Sequence, residues 1–223
     1  MPEQDTPSGT NAARRLVAAW LFACAATVAV AVFGRMPEQA VAAVLLLPLA
    51  GFAAAGMIDR RLAWRLAAVF ALGLAQALLP EVAARPIAAI ILGALMWSGL
   101  DVALDPPPLR RGADSDARRM RWTVAAALVL MLAALPAPIA VHQALALAAL
   151  ALLSASWLKS RRLAIRRGAR VALGLATVGA WVQAGVGLAT LLHRVPEPLA
   201  AAHQVGALAL FGLLTWTMHA VRA

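Results

Sequence analysis

The sequence predicts an all-α, polytopic membrane protein with eight transmembrane helices in two sets of four. Of its 223 residues, 63% are hydrophobic and only 13% are charged, whereas soluble domains average about 45–50% apolar and about 25% charged residues. The apolar residues form eight long segments, and the basic residues fall between alternate segments. This composition excludes both an ordinary soluble domain and an intrinsically disordered chain.

Eight apolar segments, each bounded by arginines or by a proline-containing loop, account for most of the chain. A helix needs about 20 mainly apolar residues to cross the hydrocarbon core of a bilayer. One long helix over residues 122–158 is an alternative for the fifth and sixth segments, but Pro136 and Pro138 favour a tight turn there. The segments are 16–34, 38–58, 62–80, 86–104, 122–137, 139–158, 169–192 and 198–220.

The distribution of basic residues predicts the orientation of the chain. With a cytoplasmic N-terminus, seventeen of the 20 lysines and arginines fall in cytoplasmic segments, and only Arg35, Arg85 and Arg194 fall in outer loops. Cytoplasmic loops of membrane proteins carry this excess of positive charge. We therefore expect a protein of the bacterial inner membrane with both termini on the cytoplasmic side. The net charge of +10 then indicates contact with anionic membrane lipid and not with nucleic acid.

The longest loop, residues 105–121, predicts how the chain is divided. It contains Pro106, Pro107 and Pro108 and then alternating basic and acidic residues, which is typical of a stiff, solvated linker. It separates an N-terminal four-helix bundle, 1–104, from a C-terminal four-helix bundle, 122–223. The single cysteine, Cys24, excludes an intramolecular disulfide and a cysteine-based metal site.

Two histidines lie in matching sequence contexts in the second half of the chain. The segment His142-Gln143-Ala144-Leu145-Ala146-Leu147-Ala148 parallels His203-Gln204-Val205-Gly206-Ala207-Leu208-Ala209. Each histidine follows a proline by four or five residues, so both are expected about 6–8 Å from the outer ends of two parallel helices. Two such histidines can supply the axial nitrogens of one heme. Nearby small residues would leave room for the ring, such as Ala144, Ala148, Ala202 and Gly206. The alternative is that each histidine forms only hydrogen bonds within the bundle.

Other polar residues in the second half are weaker candidates for the same site. His193 and Arg194 follow the seventh segment and either meet heme propionates at the outer face or belong to a solvated loop. Gln183 lies between Gly179 and Gly187, on a small-residue face suited to close helix packing. His219 lies near the cytoplasmic end and is predicted to be an interfacial residue.

The last three segments resemble the C-terminal four-helix half of heme A synthase, a membrane enzyme of cytochrome oxidase assembly. The similarity covers about residues 138–221 and is carried by 183–192, by Val195-Pro196 and by 199–208. The resemblance implies eight helices in two pseudo-symmetric bundles. It also implies heme b bound by His142 and His203 in the second bundle, and heme O oxidised to heme A in the first.

The first half departs from the pattern of this family. No histidine precedes His142, and Val41 and Ile87 stand where the resemblance would place the histidines of the first bundle. Glu38 is the candidate for the catalytic carboxylate in the first outer loop. His142 is followed by Gln143, where the family usually has arginine.

Three hypotheses follow for the function. The first is a protein of the heme A synthase type, with one heme b per chain and heme O and heme A as substrate and product. The second is a catalytically inactive, heme b-binding or electron-transfer relative, and the third is a cofactor-free structural membrane protein. The expected partners are a second copy of the chain, which would supply the missing half of the site, or a cytochrome oxidase assembly protein.

Overall fold

A computed structural model describes residues 8–34, 49, 51–77, 81–104, 115–163 and 165–221 of the chain. All regular structure in these ranges is helical, which confirms the all-α prediction. The helices are α1 Ser8–Gly34, α2 Arg60–Ala77, α3 Glu81–Ala103, α4 Ser115–Ala134, α5 Ile139–Ser160, α6 Arg167–Leu192 and α7 Glu197–Ala220.

The two prolines in the middle of the second half separate two helices. Helix α4 ends at Ala134 and α5 begins at Ile139, so the alternative of one helix over 122–158 is wrong. Pro138 caps α5 with extended backbone, φ −55° and ψ 152°. Its ring excludes the hydrogen bond that would continue α4, because proline has no amide proton to donate.

Several predicted boundaries differ from the structure or lie outside the described residues. Most of the second segment, 38–58, lies outside them, as do Glu38 and the first ten residues of the 105–121 linker. The rest of that linker, 115–121, forms the first two turns of α4. Asp116 in the first turn favours this earlier start, because a carboxylate stabilises the positive end of the helix dipole. Helix α3 likewise begins at Glu81 and contains Pro86.

The last four helices close into a ring around their own core. Helices α4 and α6 each pack against both α5 and α7. The core contains Val124, Leu153, Leu173 and Leu214, all of which are at most 1% exposed. Since α5 and α7 lie diagonally across this ring, their inner faces meet only through side chains.

The first three helices form a second core, to which α7 also contributes. Val17, Leu21 and Leu95 are buried between α1 and α3, and Phe211 of α7 joins them. A Cβ at Gly93 would lie 2.9 Å from Phe211 Cε1, so the absence of a side chain at Gly93 lets the ring pack against α3. Helix α7 therefore belongs to both cores.

Within the described ranges, four helices are long and apolar enough to cross a membrane. They are residues 86–103 of α3 and the whole of α5, α6 and α7. Large apolar side chains on their outer faces, among them Leu147, Val178 and Leu188, are about 60% exposed. Such a surface suits a lipid environment and not water.

Candidate functional site

The rings of His142 and His203 come together inside the last four helices. His142 lies in the first turn of α5 and His203 in the second turn of α7, and both side chains are half-buried. Their ring centroids are 6.2 Å apart, and their planes are inclined by 63°. The two residues that the sequence repeat singled out are therefore neighbours, at matching depths in parallel helices.

The two histidines face each other across a gap between diagonal helices. In the described residues, no Cα atom of α5 lies within 8 Å of a Cα atom of α7. Their backbones are held apart because α4 and α6 stand between them on either side. Cofactor sites of four-helix bundles are built in this way, from side chains on facing helices.

His142 is anchored to the backbone through one of its ring nitrogens. Its Nδ1 lies 2.9 Å from the carbonyl oxygen of Ala134, the last residue of α4. A carbonyl oxygen only accepts hydrogen bonds, so Nδ1 carries the proton and donates it. In the neutral ring Nε2 is then an unprotonated acceptor, which is the state in which histidine binds a metal.

His203 is held in a different way, by a side chain of the neighbouring helix. Gln183 of α6 places its amide nitrogen Nε2 3.0 Å from His203 Nδ1 and 2.6 Å from the carbonyl oxygen of His203. Among the predicted site residues, Gln183 is thus the one that contacts the histidine pair.

Two glycines make the contact between Gln183 and His203 possible. A Cβ at Gly187 would lie 2.8 Å from His203 Cε1, and a Cβ at Gly206 would overlap Gln183 Oε1. Gly185, between Gln183 and Gly187 on the same helix, has open space around its Cα. The predicted small-residue face of α6 therefore contacts the His203 ring, and Gly206 accommodates the Gln183 amide.

His193 and Arg194 lie at the end of α6, with exposed side chains. His193 Nδ1 lies 2.9 Å from the carbonyl oxygen of Ala189 in its own helix. Arg194 and Val195 have φ values of 57° and 59°, which non-glycine residues rarely adopt. This turn directs the chain back into α7, and the structure gives neither His193 nor Arg194 a bond to the histidine pair.

A buried polar cluster at the other end of α7 was not predicted. His219 Nε2 lies 2.9 Å from Asp101 Oδ1, and Arg65 NH1 lies 2.5 Å from Asp101 Oδ2. The Trp97 ring meets the His219 ring edge-on, with centroids 5.3 Å apart. His219 is only 5% exposed, so its ring is packed between helices, while its position at the level of the membrane interface stays a prediction. An acidic residue in an apolar helix was the available signal, but the sequence does not show which histidine pairs with it.

An apolar cavity of about 970 Å³ lies between α1, α3 and α7. Phe22, Met96, Leu208, Gly212 and Trp216 are among the residues that line it. Leu208 and Gly212 lie five and nine residues after His203, which places them on nearly the opposite face of α7. The cavity is therefore separate from the histidine pair.

Comparison with known proteins gives partial matches to heme A synthases. The chain is 37% identical to heme A synthase COX15 of Bos taurus over 81 residues, which is 36% of this chain and 20% of that protein. It is 55% identical over 56 residues to heme A synthase of Rhodospirillum centenum, covering 25% of this chain and 14% of the relative. For heme A synthase of Nitrosospira multiformis the identity is 47% over 66 residues, covering 30% and 18%.

These matches confirm the resemblance predicted from the last helices. The aligned segments span at most about a fifth of these three relatives. No protein-family model and no solved structure matches the chain.

Proposed function

We propose that this relative of heme A synthases is an integral membrane protein that holds one heme b between His142 and His203. The observation that carries the proposal is the pair of rings 6.2 Å apart across the gap between α5 and α7. Its biological role, by similarity to the relatives, is in heme A biosynthesis and cytochrome oxidase assembly.

The spacing of the two rings fits a shared axial metal. Two imidazoles bound on opposite sides of one metal, at nitrogen–metal distances of about 2 Å, have centroids roughly 6 Å apart. In His142 the nitrogen that is free to bind is Nε2, and Nδ1 is anchored by a backbone carbonyl. Such an anchor orients a ligand ring and increases its basicity.

The chain's own residues would position the heme and control its environment. The bis-histidine iron supplies one-electron transfer when the heme is bound. His142 and His203 would together hold the iron and so would exclude oxygen as a ligand, while the apolar helices around them would exclude water. His193 and Arg194 lie in the turn after α6, beyond the helix ends, where a cation or imidazole suits a propionate.

We further propose that the chain crosses a bacterial inner membrane eight times and has both termini on the cytoplasmic side. Four described helices meet the requirements of length and composition, and the arginine distribution supports alternating loops. In this topology the histidine pair lies near the outer face. The division into bundles 1–104 and 122–223 is supported by the two cores, although α7 contributes Phe211 to the first of them.

A second candidate function is a heme b-binding or electron-transfer relative without synthase activity. The sequence has no histidine before residue 142, so residues 1–104 offer no imidazole for a second heme. Conversion of heme O to heme A would then need another copy of the chain or an assembly partner to supply the substrate site. Glu38 remains the candidate carboxylate if the chain itself is active.

The proposal is tested by heme retention in matched variants purified in detergent. His142→Ala and His203→Ala should each lose stable low-spin heme, because either change removes one axial ligand. Gln143→Ala, an exposed neighbour of His142, should retain it. Normal low-spin heme in both histidine variants would eliminate this site. Incubation with heme O, followed by chromatographic detection of heme A, separates the synthase from the inactive relative.

A further inference from the structure

The two histidines of the proposed site are held in opposite tautomers. His142 donates from Nδ1 to the Ala134 carbonyl oxygen, so its Nε2 is unprotonated. At His203 the neighbouring group is the Gln183 amide nitrogen, which carries two hydrogens and no acceptor. His203 Nδ1 must therefore accept, and the proton of the neutral ring resides on Nε2, the nitrogen needed for iron.

The orientation of the Gln183 amide is fixed by its surroundings. The carbonyl oxygen of His203, 2.6 Å from Gln183 Nε2, requires a donor at that position. Exchanging the two ends of the amide would bring Oε1 against this carbonyl oxygen, and two acceptors in contact repel each other. The His203 carbonyl therefore orients the amide, and the amide orients the proton of the ring.

We propose that Gln183 is a positioning residue that regulates the order of heme loading. His142 is ready to bind iron, whereas His203 must first release the Nε2 proton and bind one at Nδ1. The ring stays neutral throughout, since one proton leaves and one is gained. The amide must turn so that Oε1 accepts from Nδ1.

This inference rests on the proposed heme site, and it gives the order in which the two histidines bind the iron. His142 on α5 would hold the iron first, and His203 on α7 would hold it second. The second step is the slower one, because it breaks the hydrogen bonds of Gln183 to both Nδ1 and the carbonyl oxygen. Closure of the six-coordinate site is thereby tied to a rearrangement between α6 and α7.

The tautomers are tested in the heme-free protein by nitrogen NMR with ¹⁵N-labelled histidine. Signals are assigned by replacing His142 and His203 singly with asparagine. The inference expects the proton on Nδ1 of His142 and on Nε2 of His203. Gln183→Glu should place a proton on Nδ1 of His203, because a carboxylate only accepts. A proton on Nδ1 and none on Nε2 of His203 in the unaltered protein would overturn the inference.

The loading order is tested by stopped-flow heme uptake in detergent. In the unaltered protein, the low-spin spectrum should form in a second, slower phase. Gln183→Leu and Gln183→Glu should accelerate that phase about five- to tenfold, the effect of one hydrogen bond of ordinary net strength. Gly206→Ala displaces the same amide without altering Gln183 and should act in the same direction.

Matched controls separate the amide from general effects of substitution. Gln143→Glu makes the same substitution as Gln183→Glu, but beside His142. Gly185→Ala adds the same methyl group as Gly206→Ala, but on α6 and in open space. Both should leave the second phase unchanged. Unaltered rates in the Gln183 and Gly206 variants would overturn the loading order.

The reduction potential of the bound heme distinguishes a positioning role of Gln183 from a purely structural one. Relative to the unaltered protein, Gln183→Glu should lower the potential and Gln183→Leu should raise it, since an acceptor at Nδ1 makes the ligand more electron-rich. The same potential in all three proteins would contradict the positioning role. Failure of the unaltered protein to take up heme would overturn the proposed function and its loading order, while the NMR result would still decide the tautomers.

Discussion

The ring of His203 packs directly on the backbone of Gly187, one helix away. A Cβ at position 187 would lie 2.8 Å from His203 Cε1 and 3.2 Å from Nδ1. The glycine thus fixes the position of a ring that we propose to bind iron. It also sets how closely α6 and α7 approach at this level of the bundle, in the manner of small residues in other membrane helices.

Gly187→Ala should displace His203 and reduce heme occupancy severalfold. The added methyl group has no space unless the ring moves, and axial ligation tolerates little displacement. Gly185→Ala is the matched control, because a Cβ there meets no heavy atom within 4 Å. The ratio of Soret to protein absorbance after purification measures occupancy. Equal occupancy in the two variants would contradict the packing argument.

The cluster of Arg65, Asp101 and His219 should stabilise the contact between α2, α3 and α7. Asp101→Ala leaves the Arg65 and His219 side chains without this carboxylate, and we expect a loss of about 2–3 kcal/mol in the free energy of unfolding. The Asp101 side chain is only 14% exposed, so water replaces the carboxylate poorly. Unfolding in a titration with denaturing detergent measures the loss.

Two arginines of α2 provide a control for that cluster. Arg65→Gln removes the ion pair with Asp101 and should be destabilising, though less than Asp101→Ala because the Arg65 side chain is 34% exposed. Arg61→Gln makes the same change at an exposed position on the same helix and should have little effect. Equal stability of the two variants would show that the ion pair contributes nothing measurable.

The comparison of these two polar groups shows what the sequence alone can reveal. His142 and His203 were predictable as neighbours because a local repeat and two prolines place them at one depth in parallel helices. Pairing of Asp101 with His219, 118 residues apart, depends on how α3 packs against α7. No periodicity in the sequence reports that packing.

The contact of Gln183 with His203 was predictable only in part. The glycines around Gln183 indicated a close contact between helices. Which side chain fills that contact depends on the register of α6 against α7, and the sequence does not show this register. Gly206, which was predicted to leave room for a heme, lies against the Gln183 amide in the structure. The start of α4 was placed too late because its first two turns are charged and their apolar content is low.

The proposed topology predicts opposite accessibility for the two turns that flank α6. In a Cys24→Ala background, Glu197→Cys should react with a membrane-impermeant thiol reagent added outside intact spheroplasts. Arg162→Cys should react only after lysis. Both positions are exposed, so burial does not account for a difference between them. The reverse pattern would invert the orientation and move the histidine pair to the cytoplasmic side.

Ligation of one heme b by His142 and His203 is tested by a spectrum of the purified protein. We expect a low-spin b-type redox difference spectrum, with about one heme per chain by pyridine hemochrome analysis of the extracted pigment. Heme O or heme A in the extract would favour the synthase over the inactive relative. A colourless protein, after expression with ample heme supply, would exclude the heme site and leave a structural membrane protein.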